Sequence, residues 1–385
     1  MKDVWDVAVV GAGPAGAAAA REAARTGART LLLERADLPR YKRCGGGLIG
    51  LSQQAIRDAG VDASRLSKDD VGRFAFTSAG GRPFERTTAA FLPMVMRAEL
   101  DAELVRVAVD AGAVLRTGTA VAAYAESDGI VTLGTSAGPV WARAVVGADG
   151  SQGRCASYVG VTPELVDIGL EAELPTPAGS DWRGRVLLDW GPVPGSYGWV
   201  FPKGDLLTVG VIGDRSAGAA MRDYYRDFVA RLGLDLSSAV HDGGHLTRVR
   251  RPDSPLRRGS VLVAGDAAGL LEPWTREGIS YALRSGAIAG RAAAGDVSSY
   301  DGLVMAALGP EMAAGRRARA AFAAHPGTVH SVFRYLPSMR ARHSGDDRVR
   351  WPMFDLFVRL VGGQTSMAEQ LSRRRVRGLV RLLGG

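Results

Sequence analysis

The stretch that decides the fold is residues 4–34, which read VWDVAVVGAGPAGAAAAREAARTGARTLLLE. The apolar run 4–10 predicts a buried parallel strand, and the Ala-rich run behind the glycines predicts a helix. Gly27 is placed to end that helix, and residues 30–33 predict a second apolar strand, closed by Glu34. This segment therefore predicts a complete β-α-β unit.

The turn after the first strand carries the Gly11-x-Gly13-x-x-Gly16 pattern of a dinucleotide-binding site. Gly11 permits the tight turn, Gly13 lets backbone amides approach a pyrophosphate, and Gly16 lets helix and strand pack closely. The helix N-terminus faces the phosphate charge, and Glu34 is placed to accept hydrogen bonds from ribose hydroxyls. A plain βα turn with a surface Glu is the alternative. The unit alone does not separate FAD from NAD.

Two later turns favour FAD. Residues 144–148 predict a strand that ends in Asp149-Gly150-Ser151, and residues 260–264 predict another before Gly265-Asp266-Ala267-Ala268-Gly269. An Asp at such a turn suits hydrogen bonding to a polyol, and Gly278-Ile279 begins a helix whose N-terminus suits a second anionic region. A simple NAD dehydrogenase has no ribityl chain to hold. Taken separately, Gly-Asp pairs are ordinary turns.

The rest of the chain indicates two interleaved lobes. Short β-like pieces begin at Val71, a helix begins at Arg97, and residues 114–138 predict hairpin strands. Residues 165–255 are the least α/β-like part. We therefore expect an α/β chain, α+β overall. Its parts are a Rossmann-like FAD-binding lobe (1–70, 96–164 and 256–300), an antiparallel-sheet substrate lobe (71–95 and 165–255) and a C-terminal helical region (301–385).

Composition narrows the classes of protein. The net charge is 48 − 40 = +8; the basic residues are spread along the chain, and we expect no nucleic-acid partner. Cys44 and Cys155 are the two cysteines, too few for a disulfide framework, which favours a reducing compartment. The N-terminus has no export signal, and no run approaches the ~20 apolar residues of a membrane span. We expect a cytoplasmic protein, with any membrane contact peripheral.

Over most of its length the sequence resembles the geranylgeranyl reductase family, FAD enzymes with the p-hydroxybenzoate hydroxylase fold. The matching segments are Gly11-Ala12-Gly13-Pro14-Ala15-Gly16, Lys42-Arg43-Cys44-Gly45-Gly46-Gly47, Met96-Arg97-Ala98-Glu99-Leu100-Asp101, Gly147-Ala148-Asp149-Gly150-Ser151, Tyr197-Gly198-Trp199-Val200-Phe201-Pro202-Lys203 and Gly265-Asp266-Ala267-Ala268-Gly269. The segment at 197–203, similar to the family's Tyr-x-Trp-x-Phe-Pro signature, is the most discriminating of them.

The resemblance implies a set of cofactor-binding residues: Gly11, Gly13, Pro14, Ala15, Gly16, Glu34, Arg35, Cys44, Gly45, Gly46, Arg97, Val121, Asp149, Gly265, Asp266, Gly278 and Ile279. It also implies reduction of isolated carbon–carbon double bonds in an isoprenoid small molecule or lipid, by a hydride from reduced flavin plus a proton.

The implied catalytic residues are Cys44, Tyr197, Trp199 and Phe201. The three aromatic residues alternate, so on a strand they share one face. That face lines a hydrocarbon tunnel, presses against the flavin, or is an ordinary core stripe. Cys44 tunes the flavin, assists proton delivery, or fills a small apolar space.

The sequence departs from the family at Arg276, which stands where the resemblance predicts a glycine in Gly-Glu-Gly-Ile. This leaves open the local geometry beside the flavin and the choice of substrate.

Two of the family's sequence motifs also distinguish a reductase from other flavin-dependent enzymes. A flavin-dependent hydroxylase usually has His where this chain has Gly269, and a halogenase resembles Trp-x-Trp-x-Ile-Pro where this chain has Tyr197-x-Trp199-x-Phe201-Pro202. Both differences favour the reductase over a monooxygenase or halogenase. A non-catalytic flavoprotein that binds a lipid or a partner is the third class.

Three further features concern metal, donor and membrane. His241 and His245 have the spacing of a helical metal pair, but two intervening glycines oppose a helix, and we expect no metal site. A second Gly-x-Gly-x-x-Gly unit is absent from the sequence, so we expect an external electron donor, NADPH or a ferredoxin-like carrier. Residues 371–383 predict a basic amphipathic helix, which either contacts an anionic membrane or docks on the protein.

Overall fold

The structure, a computed structural model, describes residues 3–335 and 352–373, without the side chains of residues 332 and 352. The strands are β1 (Val4–Val10), β2 (Thr30–Leu33), β3 (Ser67–Ser78), β4 (Phe84–Val95), β5 (Val114–Arg116), β6 (Val121–Ser127), β7 (Ile130–Thr135), β8 (Gly138–Gly147), β9 (Pro163–Pro175), β10 (Arg185–Trp190), β11 (Tyr197–Lys203), β12 (Leu206–Asp214), β13 (His241–Arg250), β14 (Arg257–Arg258) and β15 (Val261–Val263). The helices are α1 (Pro14–Arg25), α2 (Ser52–Asp58), α3 (Arg97–Asp110), α4 (Cys155–Val159), α5 (Gly218–Arg231), α6 (Ile279–Ala294), α7 (Tyr300–Ala324), α8 (Pro326–Tyr335), α9 (Pro352–Val361) and α10 (Met367–Ser372).

The first sheet has the order β14-β15-β8-β1-β2-β5, and the β6–β7 hairpin joins it through β8. Strand β1 pairs in parallel with β2 and β8, which confirms the predicted β-α-β unit at residues 4–34. The hairpin prediction for residues 114–138 is correct for β6 and β7 but wrong for β5. Strand β5 pairs in parallel with β2, because α3 carries the chain across the sheet before it.

The second sheet has the order β13-β9-β12-β11-β10-β3-β4. Its pairs are antiparallel except that between β10 and β3. The short pieces predicted from Val71 are in fact two long paired strands, β3 and β4, because the polar residues between the apolar ones lie on an exposed face. One face of the sheet packs against α5 through Met221, Tyr224 and Phe228. Phe322 of α7, Phe333 of α8 and Phe354 of α9 cover part of the other face.

The chain leaves the first sheet twice, before β3 and before β9, and returns to it each time. The result is a mixed α/β architecture of two sheets, followed by a helical segment. The domain limits expected from the sequence stay a prediction. The amphipathic tail predicted over 371–383 lies outside the described residues from 374 onward. Among the helices that the structure describes, none combines the length and the apolar character needed to cross a membrane.

Candidate active site

A continuous cavity of about 1150 Å³ extends between the two sheets and the C-terminal helices. At one end, which we call the nucleotide end, it is lined by Gly11, Gly13, Pro14, Ala15, Glu34, Arg35 and Val121. At the other end is an apolar chamber, lined by Phe74, Leu188, Trp190, Phe322, Phe333 and Phe357. The cavity therefore places the predicted nucleotide turn and a hydrocarbon-lined space in one enclosure.

At the nucleotide end the backbone lies too close to itself for any residue larger than glycine at key positions of the turn. Gly11 has a φ of +99°, and a Cβ on Gly16 would lie 1.8 Å from the carbonyl oxygen of Gly11. Gly13 is the N-cap of α1 and makes no side-chain capping bond. Pro14 at the first position of α1 has no amide hydrogen, so the amides of Ala15 and Gly16 are the first that the helix leaves without an intrahelical acceptor, which suits a pyrophosphate.

Glu34 lies at the end of β2 with its carboxylate held by the backbone. It accepts hydrogen bonds from the amides of Ala12 at 2.8 Å and Ala36 at 3.1 Å. The guanidinium of Arg40 is 3.5 Å away. Each carboxylate oxygen retains a lone pair for a ribose hydroxyl. Val121 and the exposed Arg35 line the same end of the cavity.

Asp149 and Asp266 line the middle of the cavity. Asp149 accepts a bond from the amide of Cys155 at 3.0 Å, and burial raises the pKa of its carboxyl. Asp266 lies in the turn Gly265–Ala268, and the Cβ position of Gly278 is 3.4 Å from its Oδ1.

Two of the predicted cofactor-binding residues do not line the cavity. Gly16 and Gly265 lie behind the lining, and a Cβ on Gly265 would meet Ala15 at 2.9 Å. Both glycines allow close packing, and their contact with the cofactor stays a prediction. Gly278 and Ile279 do line the cavity, at the N-terminus of α6.

The glycine-rich loop 42–47 lies against the second sheet. A Cβ on Gly45 would be 2.8 Å from the ring of Phe201, and one on Gly46 would be 2.2 Å from the carbonyl oxygen of Val95. Lys203 donates to the carbonyl of Cys44 at 3.0 Å. Cys44 and Gly45, which are half-buried, and the buried Gly46 all line the cavity.

Arg97 opens helix α3 and also lines the cavity. Its guanidinium makes two hydrogen bonds to Asp101, of 2.9 and 3.0 Å. The Asp101 carboxylate is fully buried and also accepts from Arg40 at 3.0 Å. Asp101 thereby positions the guanidinium groups of Arg97 and Arg40 beside the glycine-rich loop and the nucleotide end of the cavity.

Tyr197, Trp199 and Phe201 share one face of β11, as their alternation predicts. Their neighbouring ring centroids are 6.0 and 6.3 Å apart, and all three rings line the cavity. The hydroxyl of Tyr197 donates to the carbonyl of Thr275 at 2.5 Å. Burial raises the pKa of Tyr197 to about 12, so the phenol is protonated at neutral pH.

Lys42 and His245 form a partly buried pair that the sequence did not indicate. Lys42 Nζ is 3.2 Å from His245 Nε2, and both side chains line the cavity. Burial lowers both pKa values, that of His245 to about 4, so the imidazole is neutral and accepts from Lys42. The pair joins residues 203 positions apart. His241 and His245 lie on strand β13, and the described residues contain no cluster suited to a metal ion.

Glu171 on β9 is a second residue without a sequence signal. It is buried, lines the cavity, and has a carboxyl oxygen, Oε1, with no hydrogen-bond partner among the described residues. A single Glu in an apolar strand matches no motif, so only the structure identifies it.

Arg276 resolves the departure from the family pattern. Its φ is +58°, a backbone conformation that glycine favours, so the expected glycine geometry is kept. The buried guanidinium is 3.1 Å from Asp167 and donates to the carbonyls of Trp274 at 2.7 Å and Gly195 at 3.0 Å. Arg276 therefore ties its loop to β9 of the second sheet.

The residues present fit FAD. The N-termini of two helices border the cavity, that of α1 without a side-chain cap and that of α6 with its Ser280 amide bonded to Glu277. Glu34 lies at one end of the cavity and Asp266 in the middle. This is the polar frame that a pyrophosphate, a ribose and a ribityl chain require.

Comparison with known proteins agrees with this geometry. A family model described as FAD binding domain matches residues 4–174. The chain is 31% identical over 324 residues to digeranylgeranylglycerophospholipid reductase 3 of Methanosphaera stadtmanae, covering 78% of this chain and 80% of the relative. It is 30% identical over 368 residues to geranylgeranyl diphosphate reductase of Rhodobacter capsulatus, covering 90% of this chain and 87% of the relative.

A solved structure shares the fold. The geranylgeranyl bacteriochlorophyll reductase-like protein of Thermoplasma acidophilum is 22% identical and superposes with a TM-score of 0.72, over 84% of this chain and 88% of that one. Fold and site thus define an FAD-dependent oxidoreductase. Within that class, the chain belongs to the geranylgeranyl reductase family.

Proposed function

We propose that the protein saturates isolated carbon–carbon double bonds in a geranylgeranyl or longer polyprenyl chain, carried by a prenyl diphosphate, a prenylated lipid or a prenylquinone. The names of the two relatives at 30% and 31% identity support this substrate class. The observation that carries the proposal is the continuity of the cavity. The nucleotide end and the apolar chamber belong to one cavity, with ionisable groups such as Asp149, Asp266 and Glu171 in its lining between them.

The apolar chamber suits an unsaturated hydrocarbon. Its rings pack edge to face, with centroids 5.1 Å apart for Trp190 and Phe322 and 5.4 Å apart for Phe74 and Phe357. Such walls exclude water and offer contacts of about 25 cal/mol for each Å² of apolar surface that the substrate buries. A prenyl chain has no polar group to pair, so it loses little on entering.

FAD, when bound in its reduced form, supplies a hydride to one alkene carbon. The chain's own residues hold the alkene in place. Tyr197, Trp199 and Phe201 wall the cavity on the chamber side of the glycine-rich loop, and the Tyr197–Thr275 bond orients the first ring. Cys44 lies in that loop, where its thiol contacts the guanidinium of Arg97.

A flavin-dependent monooxygenase or halogenase is the rival function. Its support is at the level of the fold, because brominase and halogenase structures superpose on this chain at 17% to 22% identity. Gly269 and the Tyr197–Pro202 segment favour the reductase.

We also propose that electrons reach the flavin from outside the chain, from NADPH or a ferredoxin-like carrier. Anaerobic bleaching of the oxidised flavin by one of these donors, and not the other, identifies it. Peripheral contact with an anionic membrane through residues 371–383 is a further proposal, tested by sedimentation with anionic vesicles.

The decisive experiment is an anaerobic reaction of chemically reduced enzyme with geranylgeranyl diphosphate and, separately, with a prenylated quinone. Product masses raised in two-hydrogen steps are expected for at least one of them. Incorporation of oxygen under air, with no saturation under either condition, contradicts the proposal and favours the monooxygenase.

A further inference from the structure

The face of the second sheet that lines the cavity changes character along one cross-strand row. Adjacent residues in this row are Leu188, Trp199, Gly210, Glu171 and Gly243, one from each of five neighbouring strands. Leu188 and Trp199 belong to the apolar side, and beyond Gly210 the row becomes polar. Glu171 is therefore the charged residue at the boundary.

The two glycines leave space that neighbouring side chains fill. A Cβ on Gly210 would be 2.4 Å from the indole of Trp199 and 2.8 Å from Cβ of Glu171. The Trp199 ring thus leans over Gly210 toward Glu171. On the other side the guanidinium of Arg43 covers Gly243, whose Cβ position is 2.5 Å from it. Glu171 is enclosed between an indole and a cation, with the glycine-rich loop above it.

Glu171 differs from the other acids near it in its partners. Its side chain is 6% exposed, and its Oε1 has no hydrogen-bond partner among the described residues. The neighbouring Glu173 is paired with Lys203 at 3.4 Å. Burial raises the pKa of the Glu171 carboxyl and Glu173 acts in the same direction, although Lys203 and Lys42 oppose them. Burial is the largest of these effects and favours the protonated form of a carboxyl that lies at the edge of an apolar space.

The other carboxyls of the cavity middle accept local hydrogen bonds, although Asp149 Oδ1 and Glu272 Oε1 have no partner among the described residues. Glu277 accepts from Ser52 and Ser280 with distances of 2.6 to 2.7 Å. Glu272 accepts from Thr275 and Trp274 through one oxygen, and its other oxygen lies against Gly315 of α7. The hydrogen bonds of both carboxyl groups fix the conformation of the loop 272–280.

We propose that Glu171 is the proton donor for the alkene, an inference that rests on the proposed reductase function. The carboxyl O–H bond breaks and a C–H bond forms at the alkene carbon next to the one that receives the hydride. The alkene gains two electrons with the hydride, and the reduced cofactor loses two. Glu171 is left as a carboxylate and recovers its proton from Lys42, whose partner His245 lines the cavity on the same side.

The test compares Glu171→Gln, which keeps the shape and removes the proton, with Glu171→Asp, which keeps a carboxyl. Glu164→Gln on the same strand is the matched control, because Glu164 is exposed and pairs with Arg316 at 2.7 Å. Single turnovers of reduced enzyme with a prenyl substrate are followed anaerobically in H₂O and D₂O. Loss of a general acid predicts a rate about 10²- to 10⁴-fold lower for Glu171→Gln, with KM unchanged. A partial loss is expected for Glu171→Asp, and no loss for Glu164→Gln.

A second readout does not depend on turnover. Infrared spectra of the apoprotein should contain the carbonyl stretch of a protonated carboxyl that disappears in Glu171→Gln, with the melting temperature reporting the fold of each variant. A folded Glu171→Gln variant that saturates the substrate at the wild-type rate overturns the assignment of Glu171. Absence of the infrared band in the wild type also overturns it. Failure of the wild type to saturate any prenyl chain, with the band present, overturns instead the proposed function.

Discussion

Charged side chains in the interior of this protein are placed with defined partners, and these partners decide their roles. Glu34 holds two backbone amides, Asp101 holds two guanidiniums, and Asp167 lies between Arg276 and Arg319. Burial of a charge is costly without such pairing. Glu171, like Asp149 and Glu272, has an oxygen without a partner among the described residues, and it differs from them in its place in the cross-strand row beside Gly210 and Trp199.

Replacing Glu34 by Ala should weaken FAD binding. The change removes the proposed ribose acceptor and leaves the amides of Ala12 and Ala36 without their carboxylate. Hydrogen bonds to a charged group contribute about 1.5–3 kcal/mol, which corresponds to a Kd raised roughly 10- to 150-fold. The loss of FAD affinity is measured by the amount of flavin retained after gel filtration and by a fluorescence titration of the apoprotein with FAD. Glu22→Ala, at a surface ion pair with Arg291, is the control. A Glu34→Ala variant that stays fully yellow would refute this role.

Replacing Asp167 by Asn should destabilise the fold by about 3–5 kcal/mol, because it leaves the buried guanidinium of Arg276 and the partly buried one of Arg319 without a counterion. Burial opposes ionisation of Asp167, yet Arg319 and Arg276 prevail and lower the pKa of its carboxyl. A lowered pKa stabilises the fold above the unfolded value, and this contribution is lost as the pH falls through the folded value. Urea unfolding at pH 7 and in acid measures both effects.

The control for Asp167 is Asp253→Asn, since Asp253 pairs with Arg251 on the surface at 3.2 Å. An exposed pair contributes about 0–1 kcal/mol. Equal destabilisation by the two substitutions would show that the Arg276–Asp167–Arg319 cluster contributes no more to the free energy of unfolding than a surface ion pair.

At the scale of elements, α1 and α6 support the nucleotide end together. They approach so closely that a Cβ on Gly286 would lie 2.1 Å from the carbonyl oxygen of Ala15, and one on Gly290 would lie 2.2 Å from that of Ala19. Ala15 lines the cavity from the first turn of α1. The position of the pyrophosphate-binding turn therefore depends on the contact between two helices far apart in the sequence.

Gly286→Ala should separate the two helices, with a loss of about 1–3 kcal/mol of stability and weaker retention of FAD. Gly302→Ala in α7 is the control, because a Cβ there meets no atom within 4 Å. Alanine in an exposed helical position should stabilise the protein by about 0.5–1 kcal/mol relative to glycine. Thermal unfolding and flavin release are the measurements. Identical effects of both substitutions would contradict the close helix contact.

At the scale of the whole molecule, the two sheets and the C-terminal helices enclose one cavity from different parts of the chain. The nucleotide end comes from the first sheet, the aromatic wall from β11, and the outer wall of the chamber from α7, α8 and α9. The length of the substrate hydrocarbon that fits therefore depends on the whole cavity and not on one sequence motif.

Leu188→Trp should shorten the apolar chamber, because Leu188 lines it beside Trp190 and Trp199. We expect the KM for a geranylgeranyl substrate to rise about tenfold or more, corresponding to about 1.4 kcal/mol of lost binding, with less effect on a geranyl substrate. Leu303→Trp, at an exposed position of α7, is the control. Equal losses for short and long chains would indicate that Leu188 does not limit chain length.

The sequence by itself determined the β-α-β unit, the glycines of the nucleotide turn, Glu34, and the shared face of Tyr197, Trp199 and Phe201. These features follow from spacing within single strands, helices and turns, where backbone periodicity sets the direction of each side chain. The hairpin expected at β5 failed because strand pairing depends on the partner and not on the local pattern.

Only the tertiary structure decided the functional surroundings of Glu171, Lys42, His245 and Arg276. Glu171 lies beneath a loop more than 120 positions earlier in the chain, and Lys42 of that loop contacts His245, 203 positions later. The protonation and reach of such groups depend on burial and on charges that distant segments bring together. The spacing of residues along the sequence does not indicate how deeply a group is buried or which distant charges lie near it.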